Sequence, residues 1–203
     1  MSRDKNAYTI TSTATCKRTP VVFFALHELG CKYEVKLVEP GELAAVHQTI
    51  GPALTHGDFV LLELDAILRY LARVGDRDAL AGRGPQEEAR IDQFMELQTR
   101  WWQGPLARMA GSSRESAARE LATARRALGA LERWLSNSAY ALARFSVADL
   151  PSVLLMAAPL LGIELAQYPH LAAYLERLLS RPAWQRAHQH AREFGMLDSR
   201  ALP

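Results

Sequence analysis

The sequence predicts an α+β domain followed by an all-helical domain. Alternating, β-branched segments typical of strands occur only before residue 63. Residues 75–85 are rich in glycine, aspartate and proline, which interrupt regular structure and mark a boundary. From residue 86 onward the spacing of apolar residues is helical. We therefore divide the chain into a domain at residues 1–75, a linker at 76–84 and a helical domain at 85–203.

The first domain has the predicted order β-α-β, then a hairpin, then a helix. Thr19-Pro20 is an N-cap followed by proline at the first helical position, and Gly30 is suited to end that helix. Gly57 lies at the turn of the hairpin. The predicted strands cover residues 8–12, 33–38, 52–55 and 59–62, and the predicted helices cover 20–29 and 64–74.

The second domain contains only predicted helices. Ser146 and Asp149 have the spacing of a capping box, so we interpret Asp149 as a cap rather than a catalytic acid. His188 and His190 are two residues apart on a helix and point to different sides, which argues against a metal site. The predicted helices cover residues 85–108, 113–135, 146–160, 169–179 and 182–194.

Composition excludes several classes of protein. The chain has 203 residues, 49% of them hydrophobic, and a net charge of only +2, which excludes disorder and argues against nucleic-acid binding. Its two cysteines exclude a disulfide framework and a four-cysteine zinc site. A helix at 20–29 would hold Cys16 and Cys31 too far apart to pair.

Neither a signal peptide nor a membrane span is expected. The first residues are polar with no apolar segment behind them. The most apolar run, 152–166, is too short to cross a bilayer and contains Pro159. We therefore expect a cytoplasmic protein that does not bind a membrane.

Several stretches resemble the cytosolic glutathione transferase family and occur in that family's order over nearly the whole chain. They are PALTHGDFVL at residues 52–61, ELDAILRYL at 63–71, FSVAD at 145–149, YPHL at 168–171 and RPAW at 181–184. The resemblance implies a thioredoxin-like βαβ-ββα domain before a helical bundle. It also implies glutathione as co-substrate, no metal, a small-molecule electrophile as second substrate, a homodimer and a cis peptide bond before Pro52.

Cys16 is the candidate catalytic residue. Its distance from Gly30 matches the reactive cysteine of cysteine-type bacterial glutathione transferases. Thiolate is the reactive form of cysteine, and cations and the positive end of a helix favour it. Lys17 and Arg18 follow directly, and a helix is predicted to begin just beyond them.

A hydroxyl group is the alternative reactive group. In serine-type members of the family, a hydroxyl in this loop donates a hydrogen bond to the sulfur of glutathione. The candidates here are Thr11, Ser12, Thr13 and Thr15. Hydroxyl residues are common in loops for structural reasons, so the sequence leaves both routes open.

The resemblance also implies a set of glutathione-binding residues. Glu63 would hold the γ-glutamyl end, whereas Leu64 replaces the usual serine and offers only its backbone. Gly51 and Pro52 would pair with the cysteinyl part of glutathione like a strand edge. The family's lysine before the hairpin is absent, and Gln48, with His47 as the alternative, is our candidate for its role.

The resemblance implies that the first helix of the second domain lines the electrophile pocket. We predict that Trp102 and Arg108 bind the substrate there. Neighbouring tryptophans cannot share one face of a helix, so one of Trp101 and Trp102 belongs to the core. The candidate dimer surface comprises Phe59, Arg69, Tyr70, Phe94, Met95 and one of the two tryptophans.

The leading functional hypothesis is a glutathione transferase or a glutathione-dependent thiol transferase. The alternative is a transferase-like binding module without catalytic activity, which the replacement at Leu64 and the missing lysine favour. The identity of the electrophile is not encoded in these residues.

Overall fold

The chain forms two compact units. The computed structural model describes residues 8–42, 51–75, 80–109 and 112–197. The first unit combines the residues before 80 with those from 180 onward, and the second contains Leu80–Leu179. The boundary between residues 79 and 80 falls inside the predicted linker.

A four-stranded sheet forms the centre of the first unit, in the order β2-β1-β3-β4. The strands are β1 (Tyr8–Ser12), β2 (Tyr33–Leu37), β3 (Ala53–His56) and β4 (Phe59–Leu62). β2 runs parallel to β1, whereas β3 runs antiparallel to both β1 and β4. This is the predicted arrangement of a βαβ unit followed by a hairpin.

Two helices follow the strands of this unit as predicted. They are α1 (Thr19–Glu28) and α2 (Leu64–Val74). α1 is buried continuously from Thr19 to Leu26. A helix that is apolar on every side must be covered on every side. α2 covers part of α1, and a third helix packs along it extensively.

That third helix is the last helix within the described residues. Our prediction assigned it to the second domain. The helix (Pro182–Glu193, α7 in chain order) packs on α1 in the first unit. Arg181 makes a bidentate ion pair with Glu28 at 2.6 and 2.9 Å, and the Trp184 ring contacts the Phe24 ring edge-on. These contacts explain why residues from 180 onward belong to the first unit.

The second unit is helical throughout its regular structure. Its elements are α3 (Pro85–Gln98), a π-helical turn (Thr99–Gln103), α4 (Gly104–Met109), α5 (Arg114–Leu135), two 3₁₀ helices (Val147–Leu161 and Leu165–Gln167) and α6 (Pro169–Leu179). The predicted helix at 85–108 is therefore interrupted by a wider turn, and Pro151 and Pro159 lie within the 3₁₀ helix.

Asp149 forms the polar centre of this unit. The capping box predicted from Ser146 and Asp149 is confirmed, with the Ser146 N–H donating to the carboxylate at 2.8 Å. The Asp149 carboxylate also accepts from the Ala141 N–H and the Tyr174 hydroxyl, both at 2.8 Å. Since Asp149 is fully buried, it is a structural residue in this fold.

Candidate functional site

One end of the sheet gathers most of the predicted site residues. Ala53 lies opposite Thr11 on one side and Leu62 on the other. Pro52, just before β3, and Glu63, just after β4, therefore lie at the sheet end where β1 leads into loop 13–18. α1 and α2 both begin at this end. We call the set of loop 13–18, Gly51-Pro52 and Glu63 the sheet-end site.

Cys16 lies in loop 13–18, three residues before the start of α1. Its N–H donates to the Thr13 carbonyl at 3.1 Å, which closes a tight turn. The residue is only 8% exposed. Both cysteines are free thiols, as predicted. The unpaired N–H groups in the first turn of a helix give that end a partial positive charge, which favours an anion nearby.

The two cations after Cys16 are placed differently from the sequence-based expectation. The Lys17 Nζ donates to the Met196 carbonyl at 2.8 Å. The predicted N-cap at Thr19 is wrong by one residue, since Arg18 occupies the N-cap position of α1 and its side chain makes no capping hydrogen bond. The lysine charge therefore lies at the carbonyl that follows α7.

Three of the four candidate hydroxyls, those of Ser12, Thr13 and Thr15, are hydrogen-bonded to another hydroxyl. The Ser12 hydroxyl lies 2.5 Å from that of Thr19, and the Thr13 hydroxyl lies 3.2 Å from that of Thr15. Thr11 is a half-buried residue of β1. Ser12 and Thr19 are fully buried, and the Ser12 hydroxyl also donates to the Thr13 carbonyl at 3.5 Å. In the Thr13–Thr15 pair one hydroxyl donates to the other, so the second retains a proton that it can donate to a ligand. The pairing leaves the hydroxyl route chemically open.

Gly51 and Pro52 are buried at the start of β3. The cis peptide bond implied for Pro52 is not observed, since none of the peptide bonds within the described ranges is cis. The trans form is the more stable isomer of an X-Pro bond by about 0.5–1 kcal/mol. Gln48 and His47, the candidate replacements for the family's lysine, lie outside the described residues.

Glu63 has an unusual backbone conformation. Its φ of 68° makes it the one non-glycine residue with positive φ in the described parts of the chain. Its carbonyl accepts from the Ile67 N–H at 3.0 Å, so Glu63 caps the start of α2. Such a conformation costs about 1–3 kcal/mol and is found preferentially at ligand sites. The Glu63 side chain is exposed.

Leu64 contributes no side chain to the site. It is buried on the apolar face of α2 together with Ile67, Leu68 and Leu71. Its backbone N–H belongs to the first turn of α2, where helix geometry supplies no intrahelical acceptor. A ligand at this position would therefore meet the leucine backbone alone.

The predicted electrophile-binding residues lie in the second unit. Trp102 is 1% exposed and Trp101 is 48% exposed, so the prediction that one tryptophan belongs to the core is confirmed. Trp102, which we predicted to bind the second substrate, is the core residue. Arg108 makes a bidentate ion pair with Glu120 at 2.9 and 3.0 Å, and this pairing raises the pKa of the exposed guanidinium.

Sequence analysis missed a polar cluster in the first unit. The Tyr33 hydroxyl lies 2.6 Å from His190 Nδ1 and 3.1 Å from His27 Nε2. Burial raises the pKa of Tyr33, and burial followed by Arg186 and His190 lowers the pKa of His27. His27 and Tyr33 are six residues apart, but His190 lies 157 positions beyond Tyr33, so no local pattern could have identified the cluster.

Two further searches concern metals and membranes. Among the described residues, no group of histidine, cysteine and carboxylate side chains is arranged to bind a metal ion. Within the same ranges, no helix combines the length and apolar character needed to cross a bilayer.

Comparison with known proteins gives one family and many similar folds. Residues 94–182 match the model of the glutathione S-transferase C-terminal domain. No curated protein sequence matches the chain. A theta class glutathione S-transferase from Xanthomonas axonopodis pv. citri, with glutathione bound, is 26% identical with a TM-score of 0.77, covering 90% of this chain and 97% of its own.

Two other solved structures extend the comparison. A glutathione transferase from Methylococcus capsulatus is 25% identical with a TM-score of 0.82, covering 94% of this chain and 100% of its own. The nitrogen regulation fragment of the yeast prion protein Ure2p is 20% identical with a TM-score of 0.80, covering 93% and 99%, and shows similarity of fold alone. Residues 94–182 therefore have the sequence features of a glutathione S-transferase C-terminal domain, and the chain has the fold of the glutathione transferases that it resembles.

Proposed function

We propose that the protein is a glutathione transferase or glutathione-dependent thiol transferase that reacts at Cys16. The observation that supports this proposal is the composition of the sheet-end site. A cysteine, the buried segment that leads into β3 and a glutamate with positive φ lie where two helices begin. The theta class relative described above was crystallised with glutathione bound.

Glutathione is a tripeptide with charged groups at its γ-glutamyl end, and the start of α2 suits them. The Glu63 carboxylate would pair with the α-ammonium group. The first N–H groups of α2, including that of Leu64, would donate hydrogen bonds to the α-carboxylate, as helix N-termini do for anions. A ligand that needs the backbone of Glu63 in this conformation would account for its positive φ.

The middle of the tripeptide would extend along the Gly51-Pro52 edge. Backbone groups of Gly51 would pair with the cysteinyl residue as a short added strand. Because Ala53 lies opposite Thr11, this arrangement would direct the glutathione sulfur toward loop 13–18. Gln48 remains our candidate for the glycyl carboxylate and Arg108 for the second substrate, whereas the buried Trp102 is no longer a candidate.

In the thiol-transferase reaction, the Cys16 thiolate would attack the glutathione sulfur of a mixed disulfide. The substrate would leave as a thiolate, and Cys16 would become glutathionylated. A second glutathione thiolate would then attack that mixed disulfide, releasing oxidised glutathione and restoring the Cys16 thiolate. In the conjugation route, a hydroxyl of Thr11, Ser12, Thr13 or Thr15 would donate a hydrogen bond to the glutathione thiolate, which itself attacks the electrophile.

Substitution of Cys16 separates the two routes. We expect Cys16→Ala to abolish reduction of a glutathione mixed disulfide. Retained conjugation of a chlorinated nitrobenzene in that variant would assign the reaction to a hydroxyl. Glu63→Gln should weaken retention on immobilised glutathione, and unchanged retention would contradict the proposed orientation of the tripeptide.

A non-catalytic binding module is the second candidate. It is favoured by Leu64, whose buried side chain cannot supply the hydroxyl that the family's serine offers. Binding of glutathione requires no turnover, so binding alone does not identify an enzyme. Turnover must therefore be measured beside binding, and binding without turnover of either substrate class would favour the module.

We also propose that the protein is a cytoplasmic homodimer. Phe94 and Met95 are fully buried and leave the candidate dimer surface, whereas Phe59 and Trp101 are each 48% exposed and remain part of it. Light scattering should give twice the chain mass of 22.6 kDa, and Phe59→Ser should shift it toward the single-chain value.

The free cysteines suit a reducing compartment, which supports the cytoplasmic location.

A further inference from the structure

Loop 13–18 is attached to the far end of the chain through one side chain. The Lys17 Nζ donates to the Met196 carbonyl at 2.8 Å, across 179 positions of sequence. Both residues belong to the first unit. Lys17 is adjacent to Cys16, so this hydrogen bond holds the segment that determines where the thiol lies.

The acceptor of this hydrogen bond is itself firmly placed. Gly195 has a φ of 68° and turns the chain at the end of α7, and the Met196 N–H then donates to the Ala191 carbonyl at 2.9 Å. The Met196 side chain is fully buried. The carbonyls at the end of a helix have partial negative charge, which favours an ammonium group there.

The support for the loop extends along two antiparallel helices. Lys17 precedes α1 and binds after the end of α7, whereas Glu28 at the end of α1 pairs with Arg181 before the start of α7. The helix pair is therefore fixed at both ends, with Phe24 and Trp184 in contact between them. Loop 13–18 is therefore held in place by its attachment to the α1–α7 pair.

We propose that Lys17 is a positioning residue for Cys16, which uses the end of α7 as a fixed support for loop 13–18. The Lys17 ammonium group binds the Met196 carbonyl, and Lys17 affects the Cys16 thiol by fixing its position rather than by its charge. The consequence for turnover rests on the proposed function. The consequence for the thiol itself does not, because accessibility of Cys16 to a small alkylating reagent requires no glutathione.

Alkylation of Cys16 by iodoacetamide across pH tests the proposal. Mass spectrometry of the Cys16 peptide separates its reaction from that of Cys31. Loss of one hydrogen bond from a charged donor should increase local opening, so we expect Lys17→Met to raise the limiting rate at high pH about fivefold. The midpoint of the pH profile should stay unchanged. Lys17→Arg keeps a charged donor and should restore the slow rate, and Lys32→Met, at an exposed lysine, should have no effect.

A second variant reaches the same contact from the other side. Gly195→Ala has space for its methyl group but strains the positive φ that presents the Met196 carbonyl. It should accelerate Cys16 alkylation as Lys17→Met does, and the double variant should add little. A shifted midpoint with an unchanged limiting rate would show that Lys17 acts by charge and would overturn the proposal. An unchanged profile in both variants would also overturn it.

The same variants distinguish this proposal from the proposed function. Lys17→Met should lower kcat for the glutathione mixed disulfide several-fold and leave KM for glutathione near its original value, since Lys17 contacts no predicted glutathione residue. A wild-type protein without turnover would refute the proposed function, whereas the alkylation rates would still decide the role of Lys17.

Discussion

Replacing Asp149 should cost the second unit a large part of its stability. Donors surround the carboxylate: the Ala141 N–H and the Ser146 N–H at 2.8 Å, the Tyr174 hydroxyl at 2.8 Å and the Ser146 hydroxyl at 3.1 Å. The residue is fully buried, so water cannot replace the acceptor without a rearrangement. The Asp149→Ala variant therefore leaves several buried donors without a partner.

The backbone donors determine the magnitude of this loss. A hydroxyl can rotate to another acceptor, and Tyr174 already has the Ser152 hydroxyl at 2.8 Å. The N–H groups of Ala141 and Ser146 have no such freedom, and each buried orphan costs about 1–3 kcal/mol. We expect Asp149→Ala to lower the free energy of unfolding by about 4 kcal/mol, and Asp149→Asn, which retains one acceptor oxygen, by about half as much.

Urea unfolding followed by tryptophan fluorescence measures this effect. The Trp134 indole donates to the Ala141 carbonyl at 2.9 Å, so it reports on the segment that Asp149 holds. Glu176→Ala, which removes an exposed carboxylate on α6, is the matched control and should stay within about 0.5 kcal/mol of wild type. A loss below about 1 kcal/mol for Asp149→Ala would refute the reasoning.

The pH dependence gives an independent check of the same carboxylate. Burial raises the pKa of Asp149 from 3.8 to about 6, although its hydrogen bonds oppose this shift. Between these two values the folded chain keeps a proton that the unfolded chain has lost, so stability falls as pH rises through this window. The fall should reach about 3 kcal/mol and be absent in Asp149→Asn. A rise over this window, relative to the asparagine variant, would contradict the assignment.

Three other predictions concern packing, an ion pair and histidine titration. Trp102→Ala should destabilise the protein by about 3–5 kcal/mol, whereas Trp101→Ala should change stability by less than about 0.5 kcal/mol in the same urea assay. Arg181→Met should cost about 1–3 kcal/mol because it leaves the largely buried Glu28 without its partner, and the double variant with Glu28→Gln should recover part of that loss. Burial lowers the pKa of His27 below its usual 6.5, so the unfolded chain takes up a proton before the folded chain does. The contribution of His27 to stability, measured as the difference between wild type and His27→Asn, should therefore rise with pH up to about 6.5.

Local sequence patterns were sufficient for most of the regular structure. The strands and helices of the first unit depend on alternation, on the Thr19-Pro20 start and on the apolar face of α2, and all of these are properties of neighbouring residues. The Ser146–Asp149 capping box is similarly local. The bounds predicted from these signals agree with the structure to within a few residues.

The features that sequence analysis missed depend on distant contacts. Lys17 was expected beside the Cys16 thiol, but its acceptor lies at Met196. The spacing of apolar residues in α7 shows that one face is buried and does not show which helix covers it, so α7 was grouped with the wrong neighbours. The π-helical turn leaves no local signal either, because any helix-forming sequence can widen where packing requires it.

The return of α7 to the first unit has a consequence for synthesis of the protein. α1 is translated early and is apolar on every side, yet the helix that covers it is the last of the described elements to be translated. At about 5–20 residues per second, the interval between residues 79 and 193 lasts roughly 6–23 s. During that interval the nascent chain exposes the face of α1 that α7 later covers. Folding of the first unit must therefore be completed after translation of the second, and a chain truncated before α7 should aggregate.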